Sequence, residues 1–271
     1  MNETNHEGNP PAGDGPNHTV KSRLMVNEVQ VAQIWHWLCA GWRDFTRAPF
    51  IGLFFGCCFA MMGLAIYWVF QHSAGWTLAL SAGFLLVGPF LCIGLFSVSR
   101  SLARGQRPSL SEALGAWSHN PGALIPYLAV LLVLDLLWSR SAMVVFAVSF
   151  PSITPQGDPL SILFDPANLG FVITYLAVGA IFAGVIFATS VVSIPLIMDR
   201  DVDGITAGIT SIQVCLKNPL VMFLWGALVT GVIVSAMAPW FLGLVFAAPV
   251  IGHASWHAYC ATVTTGESGR I

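Results

Sequence analysis

The strongest constraint on this chain is a series of long runs nearly free of charge, at 50–70, 76–99, 122–142, 169–198, 219–237 and 239–262. About 20 apolar residues in a helix rising about 1.5 Å each cross the ~30 Å hydrocarbon core of a bilayer. Backbone groups that cannot reach water must bond within their own segment, so runs of this length span as helices. The sequence therefore predicts an all-α membrane protein of about six transmembrane helices. Hydrophobic residues make up 56% of the chain and charged ones 9%, against roughly 25% charged in a soluble domain, which excludes a soluble fold. The third run differs from the others: Asp135 and Arg140 stand in its second half and an apolar stretch, 143–150, follows it. It reads as one helix with a hydrophobic continuation into an outer loop.

Orientation follows from the basic residues, which accumulate in inner loops. With the N-terminus inside, Lys21, Arg23, Arg43, Arg47, Arg100, Arg104, Arg107, Arg200, Lys217 and Arg270 are all inner, ten of the eleven Lys and Arg in the chain. Arg140 alone is outer. Both termini are then cytoplasmic, with outer loops at 71–75 and 150–168 and a tight turn at Ala238. The expected organisation is a disordered tail at 1–24, one membrane domain at 25–264 and a short tail at 265–271. The tail at 1–24 is rich in Asn, Gly, Pro and Glu and lacks an apolar core, so it does not read as a signal peptide. Net charge is -2, and no clustered basic face points to a nucleic acid. The six cysteines fall in apolar runs or on the inner side, where free thiols are the default.

Three inner segments carry helical amphipathicity, the pattern of helices lying in the membrane interface. In the first, Val31, Ile34, Trp35, Leu38, Trp42 and Phe45 share a face opposite Gln30, Gln33, Arg43 and Arg47. The second opens on a capping spacing, Ser109 with Glu112, before Leu110, Ala113, Leu114 and Trp117. The third starts from an Asp203 cap and carries Ile205, Ile209, Ile212 and Leu216. Each segment ends just before a proline that opens a span, Pro49, Pro121 or Pro219, where the first helical turn tolerates it. The second run of each pair holds Pro89, Pro195 or Pro249. The chain thus reads as three pseudo-repeated hairpins, each preceded by a cytoplasmic amphipathic helix.

Several phrases stand out: Gly41-Trp42-Arg43-Asp44-Phe45, Gly88-Pro89 through Ser99-Arg100, Pro195 through Asp201, Asn218-Pro219 through Trp225-Gly226, and Gly252-His253-Ala254-Ser255-Trp256-His257-Ala258-Tyr259. Together, over 34–259, they resemble a bacterial family of uncharacterised predicted integral membrane proteins, some of whose members are labelled cytochrome c oxidase subunits. In that family a basic residue often follows the last tyrosine, where this chain has Cys260. The resemblance implies a bacterial inner membrane and sharpens fold more than function.

His253 and His257 stand four residues apart, on one face of the last helix. Two imidazoles so placed can share a metal or approach a haem edge, with His36 and His119 as further donors. The other reading is an interfacial anchor beside Trp256. A zinc-protease motif is excluded, since Ala254 follows His253 where a general-base Glu is needed. Asp135 and Arg140 are intramembrane polar groups about 140° apart around a helix. They read either as a polar pathway or as a snorkelling Arg140 with Asp135 bonded to a neighbouring helix. Arg100, Arg104 and Arg107 suit anionic headgroups or the orientation rule alone. The run 199–203 reads as a helix cap with salt bridges, lacking the Gly and distal Glu of a calcium loop. Small residues at Gly52, Gly56 and Ala60, at Gly179 and Ala183, and at Gly226 and Thr230 allow close helix contact, within the bundle or in a homo-oligomer.

No nucleophile elbow, phosphate loop or Cys-x-x-Cys occurs, so no catalytic residue is assigned. The leading expectation is a non-catalytic scaffold or accessory factor of a membrane complex, respiratory by the family label. A small-solute or ion transporter or channel is the first alternative. A haem- or metal-binding redox subunit is the second. The lipid bilayer is the one certain partner; a membrane-protein partner or second copy follows from the scaffold reading.

Overall fold

The computed structural model describes residues 23–72, 74–149, 165–200 and 202–266, without the side chains of 23 and 74–86. The expected tails, and most of the outer loop at 150–168, lie outside the described residues. Among the described residues, ten α-helices and a two-stranded ribbon follow in order. Helix α1 is Gln33–Arg47, α2 Pro49–His72 and α3 Ala74–Ala103. Helix α4, Leu110–Gly115, leads through a 3-10 turn, Ala116–His119, into α5, Pro121–Ser149. A second 3-10 turn, Pro166–Asn168, precedes α6, Leu169–Ser190, and the short α7, Ser193–Asp199. Helices α8, Gly204–Lys217, α9, Pro219–Met237, and α10, Leu244–Thr262, complete the bundle. Strand β1, Arg23–Val26, pairs antiparallel with β2, Val263–Gly266.

Among the described residues, four helical segments are long and apolar enough to cross a membrane: Pro49–His72, Pro121–Ser149, Pro166–Asp199 and Pro219–Met237. Helix α3 runs 30 residues. Helix α10 runs 19 but carries two histidines and is buried along most of its length. Exposed apolar side chains on the spans, such as Met61, Leu176, Phe223 and Val234, face the solvent a bilayer provides. The main core lies toward the ends where α1, α7 and α8 sit, built from Trp37, Tyr127, Leu196, Met222, Trp225 and Trp256.

Local chemistry explains the starts. Pro49, Pro121 and Pro219 each occupy the first position of a spanning helix, where no helical N–H is lost. The Ser109 side chain accepts from the Glu112 N–H, and that of Asp203 from the Thr206 N–H, capping α4 and α8 as the spacing predicts. Helix α3 stops at Gly105, whose φ of +70° suits glycine's freedom in the left-handed region.

Several boundaries differ from expectation. Helix α5 continues to Ser149 rather than ending at 142, because 141–149 contains no helix breaker. The run 169–198 is interrupted at Val191–Val192, between α6 and α7. Pro195 lacks the N–H that would bond the Val191 carbonyl, and its ring crowds that carbonyl. Hydroxyls bond the carbonyl of Thr189 near the end of α6: Tyr127 donates to it at 2.7 Å and Ser193 Oγ lies within its reach, with the Ala207 carbonyl of α8 also near Ser193. The last helix starts at Leu244, not at 239. Residues 238–243 form the turn instead, with Trp240 and Phe241 at φ of 54° and 62°. These are strained values for aromatic residues, held by Trp240 and Phe241 packing on Tyr67. The expected face of α1 is split in two. Ile34, Trp37, Gly41, Asp44 and Phe45 are buried while Trp35 and Trp42 are exposed, so the helix packs on α10 with one face and leaves the other exposed. Finally, the expected tail boundaries at 24/25 and 264/265 fall inside the β1–β2 ribbon.

The small residues serve packing inside the bundle. A Cβ on Gly41 would lie 2.6 Å from the Val250 carbonyl oxygen, and one on Gly56 would overlap that of Val245, so α1 and α2 touch the α10 backbone. Gly179 meets Trp138, and Gly226 meets Phe187. All six cysteines are free.

Candidate functional site

Helix α10 carries its polar groups into the centre of the core. His253 is fully buried, and its Nδ1 lies 2.8 Å from the Ser99 hydroxyl of α3. One turn on, His257 Nε2 lies 2.8 Å from Asp44 Oδ2 of α1. Ser99 stands close enough to Asp44 to stabilise its carboxylate, so the four groups, His257, Asp44, Ser99 and His253, gather where three helices meet. Asp44 is 4% exposed. Burial opposes its ionisation, but the hydrogen bond from His257, the nearby Ser99 hydroxyl and the neighbouring imidazoles outweigh that and hold it below the usual carboxylate range. His253 Nε2 is buried and, among the described residues, has no hydrogen-bond partner of good geometry, with the Leu95 backbone nearby.

The rest of the phrase is also engaged. The Tyr259 hydroxyl donates to Asp199 at 2.9 Å, and Asp199 in turn pairs with Arg200 at 3.3 Å and more loosely with Arg104. Arg100 donates to the Met198 carbonyl. Trp256 packs between Phe96 and Tyr259. Of the run 199–203, Asp203 caps α8 as expected, while Asp201 lies outside the described residues.

The structure brings His253 and His257 onto the interior side of α10 but gives each a different partner. Among the described residues, no group of three His, Cys, Asp or Glu is placed to hold a metal ion. A cavity of about 520 Å³ lined by His36, Cys39, Arg43 and His257 opens beside α1; His119 is not among its lining residues. The residues that sequence reasoning passed over are Asp44 and Ser99. A signal was present, for Asp44 stands three residues after Gly41 and seven after Trp37, on the face that turns inward.

Asp135 and Arg140 diverge as their spacing requires: Asp135 is 9% exposed, while Arg140 is exposed. Asp135 borders a cavity of about 550 Å³ among α2, α3, α5, α6, α7 and α9. Arg140 lies about 28 Å along α5 from Pro121.

Residues 77–199 match the model of a family described as "Predicted integral membrane protein (DUF2189)". This is the family of uncharacterised membrane proteins that the sequence phrases resemble. The matched stretch holds Ser99, Asp135, Arg140 and Asp199, whereas Asp44 and the His253–His257 phrase lie beyond it. No curated protein and no solved structure matches the chain.

Proposed function

We propose that this integral membrane protein is a non-catalytic scaffold or accessory factor of a membrane complex, seated in the bacterial inner membrane with six spans and cytoplasmic termini. One observation carries the non-catalytic reading. His253, His257 and Tyr259 of the C-terminal phrase are bonded to Ser99, Asp44 and Asp199 on other helices of the same chain. These bonds tie α10 to α3, α1 and α7, which is the work of a structural network.

The six-span reading rests on four segments of spanning length together with α3 and α10. The β1–β2 pairing favours an even number, since paired strands lie on one side of the bilayer. The repeat is supported by the prolines: Pro49, Pro121 and Pro219 open α2, α5 and α9, and Pro89, Pro195 and Pro249 lie in α3, α7 and α10. The cytoplasmic placement rests on the basic residues, and the respiratory setting on the family label alone.

The test compares membranes with and without the protein. On native gels its removal lowers the amount or mobility of a respiratory complex, and the wild-type chain restores it. Unchanged complexes overturn the scaffold reading. A Soret band or stoichiometric metal in the purified protein, lost in H253A and H257A, supports the redox-subunit reading instead.

A further inference from the structure

We propose that the cavity beside Asp135 binds an amphiphilic organic monocation. The site is separate from the C-terminal network, and neither His253 nor Asp44 lines it. At about 550 Å³ it falls in the range of small-molecule sites, about 300–1,000 Å³. Its wall is apolar, formed by Phe59 and Ile66 of α2, Pro89 of α3, Ile186 of α6, Ile194 of α7 and Ile233 of α9. Among the described lining residues Asp135 is the only charged one, and no Lys, Arg or His joins it.

A carboxylate inside a bundle at membrane depth is costly unless it meets a partner. Arg140 cannot serve, because it faces away. A cation entering the cavity supplies the missing charge, and the wall specifies its body. Hard metal ions prefer six or more oxygen ligands. Here the described wall offers side-chain oxygens only from Asp135 and Ser190, and Ser190 Oγ already donates to the Ile186 carbonyl at 2.6 Å. Anions are repelled, and a neutral apolar molecule leaves the carboxylate uncompensated. An organic cation satisfies both features, and Phe59 adds an aromatic face of the kind that attracts cations.

A proline within a helix and a break between two helices border the same space. Pro89 stands inside α3 and leaves the carbonyl four residues earlier without its helical bond. Across the cavity, Ser190 and Ile194 flank the break at Val191–Val192. Irregular backbone at membrane depth is tolerated where protein buries it or a cavity adjoins it, so both features fit a site that receives a ligand.

The test uses the full chain in detergent near neutral pH, with tetraphenylphosphonium as probe and equilibrium dialysis against empty micelles. Saturable binding is expected, about tenfold or more weaker in Asp135→Asn, retained in Asp135→Glu and unchanged in Arg140→Gln. Neutral triphenylphosphine oxide should compete poorly. Should Asp135→Asn fail to fold, Leu132→Phe narrows the cavity and must weaken binding. The proposal is overturned by the absence of saturable binding, by equal affinity in the Asn or Phe variant, or by equal competition from the neutral probe.

Discussion

His257 Nε2 and Asp44 Oδ2 meet at 2.8 Å although 213 positions separate the two residues in sequence. The contact fastens the first amphipathic helix to the last helix, at a point where Gly41 already lets the two backbones approach. Helix α1 therefore belongs to the core on one side and leaves its other side exposed. That dual role accounts for Trp37 lying buried against Trp225, with ring centroids 5.5 Å apart, while Trp35 is 68% exposed.

The Asp44 carboxylate gives a pH signature. Its folded pKa is depressed, so its contribution to stability is complete above the unfolded value of about 3.9 and is lost as pH falls through the lower folded value. Asp44→Asn should lower the melting temperature at neutral pH, with a loss of about 1.5–3 kcal/mol for a hydrogen bond to a charged group. The gap between wild type and variant should close as pH drops below about 4. A gap that stays constant from neutral to acid pH would remove Asp44 from the role assigned to it.

What was legible in the sequence follows the range of each interaction. The spans could be read because an apolar run is local, and the caps at Ser109 and Asp203 because each partner lies three residues away. The ribbon could not: Arg23–Val26 and Val263–Gly266 carry no mark of each other, and each is four residues long. The break at Val191–Val192 has a signal in Pro195, a residue that marks the repeat and is also an obstacle to the helix. The histidine pair was visible from its i, i+4 spacing, but its partners Ser99 and Asp44 depend on three helices meeting.

Asn218 joins the segment after β1 to the bundle. Its side chain accepts from the Val29 N–H at 2.8 Å and donates to the Asn27 carbonyl at 2.9 Å. Alanine there leaves both backbone groups short of a partner, at about 1–3 kcal/mol for each that stays buried. Limited proteolysis should cut near Asn27 faster in Asn218→Ala than in wild type, with the spanning helices still protected. Equal cutting rates would show that the ribbon holds without it.

Two glycines allow a matched comparison. A Cβ at Gly56 would overlap the Val245 carbonyl of α10, whereas one at Gly231 in α9 meets nothing within 4 Å. In a helix, alanine exceeds glycine in stability by roughly 0.5–1 kcal/mol. Gly231→Ala should therefore be neutral or raise the melting temperature. Gly56→Ala should lower it, since overpacking costs about 1–3 kcal/mol. Similar melting curves for both variants would contradict the close α2–α10 contact.

The last prediction concerns sidedness. Pairing of Arg23–Val26 with Val263–Gly266 requires both ends of the membrane domain to emerge on one face of the bilayer, because a ribbon of four-residue strands cannot cross it. In the proposed orientation, drawn from the basic residues, that face is the cytoplasmic one. A reporter active only in the cytoplasm should be active after Arg270 and, in a separate fusion, ahead of Arg23. Placed within 156–159 it should be silent. Activity at one terminus alone would mean an odd number of spans and would break the ribbon. Activity at 156–159 with silence at both termini would keep the even number and invert the protein in the membrane.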